Sequence, residues 1–163
     1  MSPESIRLTL PYPPSGNRYW RSTVIKGHVS VYLSAEAKKY KRAVALACKL
    51  ADVRRPITGR VAVSLVLHPH RPLDARQRMR KFGDAWDVAL RSIDLDNSAK
   101  IAIDALQGYA FTDDALVWRL VAERGEPLPE AQLVVTIEPI VFDVPQYSLF
   151  ADEPRQPVPD PLS

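Results

Sequence analysis

Apolar and polar positions along the chain change period several times, and each change marks an element. Ile6, Leu8 and Leu10 alternate with Arg7 and Thr9, the two-residue period of a half-buried strand. Pro11, Pro13 and Pro14 stop it, and Ser15, Gly16 and Asn17 turn the chain. Residues 23–33, around Lys26, Gly27 and His28, read as a loop or a short hairpin. At Ser34, suited to an N-cap, the period lengthens. Ala37, Tyr40, Val44, Ala47 and Cys48 then form the stripe of a helix to about Leu50, with Lys38, Lys39, Lys41 and Arg42 on its other face. Pro56 and Gly59 mark the next turn. Residues 60–68 carry Val61, Val63, Leu65 and Leu67, the strongest strand pattern and the one expected at the sheet centre.

Residues 70–92 show no clean period. Arg71, Arg76, Arg78, Arg80 and Lys81 precede Phe82 and Gly83, and then Trp86 and Leu90. This reads as a basic arm followed by a short amphipathic helix or extended piece, with a disordered loop as the alternative. A second helix follows, capped by Asn97 or Ser98, with Ile101, Ala102, Ala105 and Leu106 as its stripe and Gly108 ending it. Residues 116–123 and 132–137 read as two more strands, expected to pair as an antiparallel hairpin. Together these predict an α+β domain over residues 1–137, a small mixed sheet with helices packed on it. From residue 138 the composition shifts: six of the fifteen prolines fall in the last 26 residues among acidic side chains, the pattern of a disordered tail.

Composition narrows the class. A chain of 163 residues, 46% hydrophobic and 25% charged, suits one globular domain plus a tail. No run approaches a membrane span, and no secretory leader pattern opens the chain, so a cytoplasmic setting is expected. Cys48 falls on a predicted helix stripe and reads as a small buried residue. His68 and His70 flank Pro69 and read as loop residues, and His28 as surface. The net charge of +3 conceals an asymmetry. Residues 1–91 hold 18 Lys and Arg against 6 Asp and Glu, whereas residues 92–163 hold 4 against 13. A basic half beside an acidic cluster fits a polyanion partner. Arg18 and Arg21, interleaved with Tyr19 and Trp20, are candidate DNA contacts, although Tyr19 and Trp20 also suit the core beside Pro13.

The acidic cluster lies in residues 93–114. Asp94 and Asp96 stand just before the helical run. Asp96, Lys100 and Asp104 follow at intervals of four, hence on one helix face, and a short loop delivers Asp113 and Asp114. Hard cations such as Mg²⁺ take oxygen ligands of this kind, and a lysine beside them can orient water or offset phosphate charge. A solvated acidic loop is the alternative on spacing alone. An EF-hand is excluded, because Ala99 and Ala105 stand where it needs glycine and glutamate.

The run DLDNSAKIAIDAL followed by TDDALV resembles the signature of the RusA family of Holliday-junction-resolving endodeoxyribonucleases, and LPYPPSGNRYWR resembles that family's opening segment. The resemblance implies that Asp94, Asp96 and Asp114 bind Mg²⁺, with Mn²⁺ as a substitute, and that Lys100 assists cleavage. Asp113 and Asp104 match acidic positions of less definite role. It implies a homodimer acting on four-way DNA junctions in recombination and repair, in a bacterial or phage setting. Arg18, Arg21, Arg71, Arg76, Arg78, Arg80, Lys81 and Asn97 are the expected DNA contacts, and residues 70–92 depart from the compact basic loop of the family. A non-catalytic branched-DNA-binding module and a nuclease for flaps or other branched DNA are the alternatives.

The tail adds one motif. QYSLF, at residues 146–150, resembles the short peptide by which bacterial repair proteins dock on the DNA polymerase sliding clamp. Gln146 would set register while Leu149 and Phe150 fill an apolar pocket. Alternatively Leu149 and Phe150 pack back on the domain.

Overall fold

The computed structural model describes residues 5–142; Gln146, Leu149 and Phe150 lie outside the described residues. The elements run β1 (Ile6–Pro11), α1 (Gly16–Tyr19), β2 (Trp20–Ile25), β3 (His28–Leu33), α2 (Ala35–Leu50), β4 (Val61–His68), α3 (Ala75–Phe82), α4 (Leu95–Leu106), β5 (Val117–Arg124) and β6 (Gln132–Pro139). The fold is α+β with a mixed sheet, as expected. No helix among the described residues is long and apolar enough to cross a membrane.

The main sheet has the spatial order β1, β6, β4, β5. β6 is antiparallel to both β1 and β4, whereas β5 runs parallel to β4. Alternation along the strands sends Leu8, Leu10, Val61, Val63, Leu65, Leu67, Leu133, Val135 and Ile137 to one face, where α2 and α4 close the core with Tyr40, Val44, Ile101, Ala105 and Leu106. The opposite face presents Arg7, Thr9, Ser64 and Arg119 to solvent.

The expected hairpin of the last two strands does not form, because β4 separates them. Two local features explain the order. Parallel pairing of β4 with β5 needs a long crossover, and residues 69–116, including α3 and α4, supply it. β6 buries Leu133, Val134, Val135 and Ile137, so it gains more from an interior place than β5 with Arg119, Glu123 and Arg124. Residues 125–131 carry the chain across the end of β4: Gly125 N donates to Leu67 O at 2.9 Å and Leu128 N to Pro69 O at 2.9 Å. His68, read as a loop residue, is instead the last residue of β4, and its Nδ1 lies 2.9 Å from Glu126 O.

Residues 20–33 form a hairpin whose turn residues Lys26 and Gly27 both have positive φ, 50° and 81°, the twist that suits a two-residue connection. Ser34 caps α2 by accepting from Ala37 N at 3.0 Å. The basic arm contains the helix α3, a 3-10 turn at Gly83–Ala85, and half-buried Trp86 and Leu90. Ala75 is the buried residue of α3, so the helix presents nearly all its side chains to solvent.

Gly125 tests the crossing. A Cβ there would stand 2.4 Å from His68 Cε1 and 2.8 Å from Val66 Cγ1. Gly125→Ala should destabilise the fold by about 1–3 kcal/mol, the usual cost of overpacking, read as a lower urea midpoint. An unchanged midpoint would refute this packing.

Candidate nucleic-acid interface and acidic site

Helix α4 starts earlier than its sequence suggested. Asp94, not Asn97 or Ser98, is the N-cap, with φ −66° and ψ 142°, and Ser98 N donates to its carbonyl at 3.0 Å. Asp94 makes no side-chain capping bond, so its carboxylate is left for other partners. Ser98 lies inside the helix, fully buried, with its Oγ donating to Leu95 O at 2.8 Å. That earlier start puts Asp96 in the first turn, where a negative charge is favoured by the helix dipole.

The segment after β1 holds the start of α4 in place. Tyr12 Oη accepts from Ile93 N at 3.0 Å and lies 3.1 Å from Ser92 Oγ. Gly16 approaches so closely that an added Cβ would sit 3.1 Å from Asn97 Oδ1. Thus the proline-rich turn and the first turn of α4, about 80 residues apart in the chain, form one wall.

Two grooves flank this wall. The larger, of about 1330 Å³, is lined by Arg18, Trp20, Arg21, Lys39, Tyr40, Arg91, Asp94, Asn97 and Lys100 among others. Its described lining carries five cations, Arg18, Arg21, Lys39, Arg91 and Lys100, against the carboxylates of Glu36 and Asp94. The smaller, of about 640 Å³, is lined by Trp20, Lys100, Ile103, Asp104, Asp114, Val117 and Leu120. Lys100 and Trp20 border both. Asp94 therefore faces one groove and Asp114 the other, with Lys100 between them. Asp96 lines neither. Among the described residues no group of three His, Cys, Asp or Glu side chains stands close enough to hold a metal ion by itself.

The other two acidic candidates already have protein partners. Buried Tyr19 donates its hydroxyl to Asp104 Oδ2, which also pairs with Lys41 Nζ at 3.0 Å. Burial, helped by the Asp104 carboxylate, raises the Tyr19 phenol well above its usual pKa. Asp113 caps the 3-10 turn Asp114–Leu116, its Oδ1 accepting from Ala115 N at 2.9 Å.

The predicted DNA contacts divide. Arg18, Arg21 and Asn97 line the larger groove, and Arg18 makes only a long, exposed pair with Glu36 at 3.6 Å. Arg71 turns its Nε to Pro127 O at 3.1 Å. Arg76, Arg80 and Lys81 are exposed on α3 and line neither groove, and Arg78 pairs with Asp74 at 2.9 Å. Sequence reasoning missed Arg91 as a groove residue; its place three residues before Asp94 was the available signal. Tyr19 is the fully buried member of the aromatic pair, while Trp20 is half-buried, packing against the core as expected and also walling both grooves.

Residues 11–138 match the family model described as Endodeoxyribonuclease RusA. Among curated relatives, the crossover junction endodeoxyribonuclease RusA of Escherichia coli K12 is 37% identical over 111 residues, which cover 68% of this chain and 74% of the relative. The proteins of the same name from Escherichia coli O139:H28 and Shigella sonnei are 36% and 35% identical over the same shares.

Tyr40 offers a test of the groove's floor. Its hydroxyl is buried without a hydrogen-bond partner among the described residues, and burial raises its phenol above the ordinary value of 10.0. Tyr40→Phe removes an unpaired polar atom and should stabilise by about 1 kcal/mol at pH 7. The gain should widen above pH 10, where the unfolded phenol ionises and the folded one resists, so that the wild type loses stability as pH rises. Urea denaturation at pH 7 and pH 11 reads both; a less stable Tyr40→Phe would mean that the hydroxyl has a partner.

Proposed function

The chain belongs to the Endodeoxyribonuclease RusA family, and on that footing we propose that it is a Mg²⁺-dependent, structure-selective endonuclease that resolves four-way DNA junctions in recombination and repair. The observation that carries this reading is the placement of Lys100. It borders a cation-lined groove holding Asp94 and a second groove holding Asp114, so phosphate charge and two carboxylates meet at one ammonium.

The family resemblance points to Asp94, Asp96 and Asp114 as the residues that would hold Mg²⁺, with Mn²⁺ as a substitute; of these, Asp94 and Asp114 line the two grooves that Lys100 borders, and Asp96 lines neither. Their carboxylate oxygens suit a hard cation. Mg²⁺ commonly takes one or two protein carboxylates and completes its shell with water and substrate phosphate, so an open set of aspartates fits it. Bound there, the ion would acidify water and offset charge on the phosphate being cut. Lys100 adds a fixed positive charge beside that phosphate. Arg18, Arg21, Lys39, Arg91 and Asn97 grip the backbone along the larger groove. Asp104 and Asp113 keep supporting roles, because Tyr19, Lys41 and the Ala115 amide already engage them. Arg71, Arg76, Arg78, Arg80 and Lys81 extend the grip along α3 and its approach.

The working unit is a homodimer, since a four-way junction presents two symmetric strands to cut. Selectivity for a junction then comes from dimer geometry and DNA deformability more than from base edges. The setting is the cytoplasm of a bacterium or of a phage's host. From sequence alone, Gln146, Leu149 and Phe150 would tether the enzyme to the sliding clamp.

A labelled synthetic four-way junction, incubated with Mg²⁺ or with EDTA beside linear duplex and flap controls, should yield paired symmetric cuts only with Mg²⁺ and only on the junction. Equal cutting of flaps would favour the broader branched-DNA nuclease; binding without cutting would favour the non-catalytic module. Asp94→Asn should lower cleavage at least about 100-fold yet keep junction binding, because an amide is a poor substitute for a carboxylate ligand. Normal cutting by that variant would refute the assignment. Replacing Arg76, Arg78 and Arg80 by Gln should weaken binding and flatten its salt dependence, by up to about one log–log unit for each phosphate that is no longer neutralised. A slope that does not move would remove α3 from the DNA path.

A further inference from the structure

The two grooves that meet at Lys100 differ in what their walls can hold. The larger carries five cations against two carboxylates, a lining suited to phosphate. The smaller, of about 640 Å³, sets Lys100 against Asp104 and Asp114, so a phosphate entering it would meet net negative charge. The rest of its lining is aromatic or aliphatic: Trp20, Ile103, Val117 and Leu120. Pockets for small planar groups are of this kind, roughly 300–1,000 Å³ and mostly apolar with a few polar atoms. Leu120 remains 46% exposed there, apolar surface open to an occupant.

Trp20 is the wall that the two grooves share with Lys100. Its ring makes a T-shaped contact with that of buried Tyr19, centroids 4.7 Å apart, and packs against the core, so it is held before any ligand arrives. A fixed aromatic ring loses little freedom when a base stacks on it. A strand with a phosphate at Lys100 therefore finds a stacking surface at the border of the same groove. Asp104 adds a carboxylate, which only accepts hydrogen bonds. It suits the N–H edge of a base and repels phosphate.

We propose that the smaller groove receives one nucleobase, turned out of its stack, from the strand whose phosphate lies at Lys100. Trp20 stacks on that base, and Ile103, Val117 and Leu120 enclose it. This rests on the branched-DNA substrate of the proposed function and names what the second groove takes from it. Turning a base out costs least where pairing or stacking is already disturbed, so a branch point supplies one more readily than intact duplex. An apolar side chain from a protein segment is the alternative occupant.

Binding of the full chain to synthetic four-way junctions in EDTA, followed by fluorescence anisotropy, tests the proposal. One junction is intact, and each of the others carries a single abasic nucleotide, walked through the positions around the branch point. Trp20→Leu should weaken binding of the intact junction about tenfold, the scale of one lost base–aromatic stack. At one abasic position the same substitution should cost only about twofold or less, because the base it served is already gone. Leu120→Asn, at an exposed position, should show a smaller loss that vanishes at the same abasic position. Circular dichroism checks the fold of both variants, and Leu120→Asn decides alone if Trp20→Leu does not fold. Losses that persist unchanged at every abasic position would overturn the base pocket in favour of a protein occupant. Variants that bind the intact junction as well as the wild type does would overturn it outright. Cleavage of the intact junction by the wild type with Mg²⁺ separates the two readings. Coupling at one position without cleavage ends the resolvase reading alone, and cleavage without coupling ends the pocket alone.

Discussion

The carboxylate of Asp104 is the joint on which the functional end of the molecule depends. It sits on α4, accepts the hydroxyl of Tyr19 from the end of α1, and pairs with Lys41 of α2. Three elements distant in sequence are thereby held around one part-buried anion. Tyr19 is fully buried, so its hydroxyl depends on that acceptor. Position 20 follows at once, and half-buried Trp20 packs edge-on to the Tyr19 ring, against the core, and walls both grooves. The hairpin β2–β3 departs from the same point, and the larger groove takes Ser22 and Val31 from it.

Around that joint, the acidic residues divide by what already holds them. Asp104 and Asp113 are engaged by protein donors, whereas Asp94 makes no capping bond although it occupies the N-cap position. Leaving a carboxylate unpaired at a helix N-terminus forgoes a capping bond of about 1 kcal/mol. Such local sacrifice is characteristic of sites kept open for a ligand. Tyr12 and Gly16 recover order there by other means, through a hydrogen bond to Ile93 N and close approach to Asn97.

The charge asymmetry along the chain also acquires a spatial meaning. Arg18, Arg21, Lys39 and Arg91 all come from the basic first 91 residues, and the fold gathers them in one groove with Asp94, Asn97 and Lys100 from the start of the acidic half. A groove lined by five cations beside Glu36 and Asp94 favours a polyanion while keeping oxygen donors within it. α3 carries further cations on a helix with little packing of its own.

Much of this was legible in the sequence. The period of two located β1, β4, β5 and β6, and the period near four located α2 and α4, because side-chain direction along a strand or helix is a local property of the backbone. Ser34 and Gly108 marked boundaries for equally local reasons, a side-chain cap and a positive φ of 83°. The segments around residues 12–18 and 94–114 were visible as chemistry before they were seen to touch. What periodicity does not carry is which strand lies beside which, so the order β1, β6, β4, β5 emerged only with the long crossover and the greater burial of β6. Nor does spacing along a helix reveal which carboxylate is already taken: Asp96 and Asp104 share a face of α4, yet only Asp104 meets Tyr19 and Lys41. Local patterning was thus enough to set the elements and the residue types available to a site. Which of those residues are free, and which groove each one faces, came from the folded arrangement, because both depend on residues far apart in the chain being brought together.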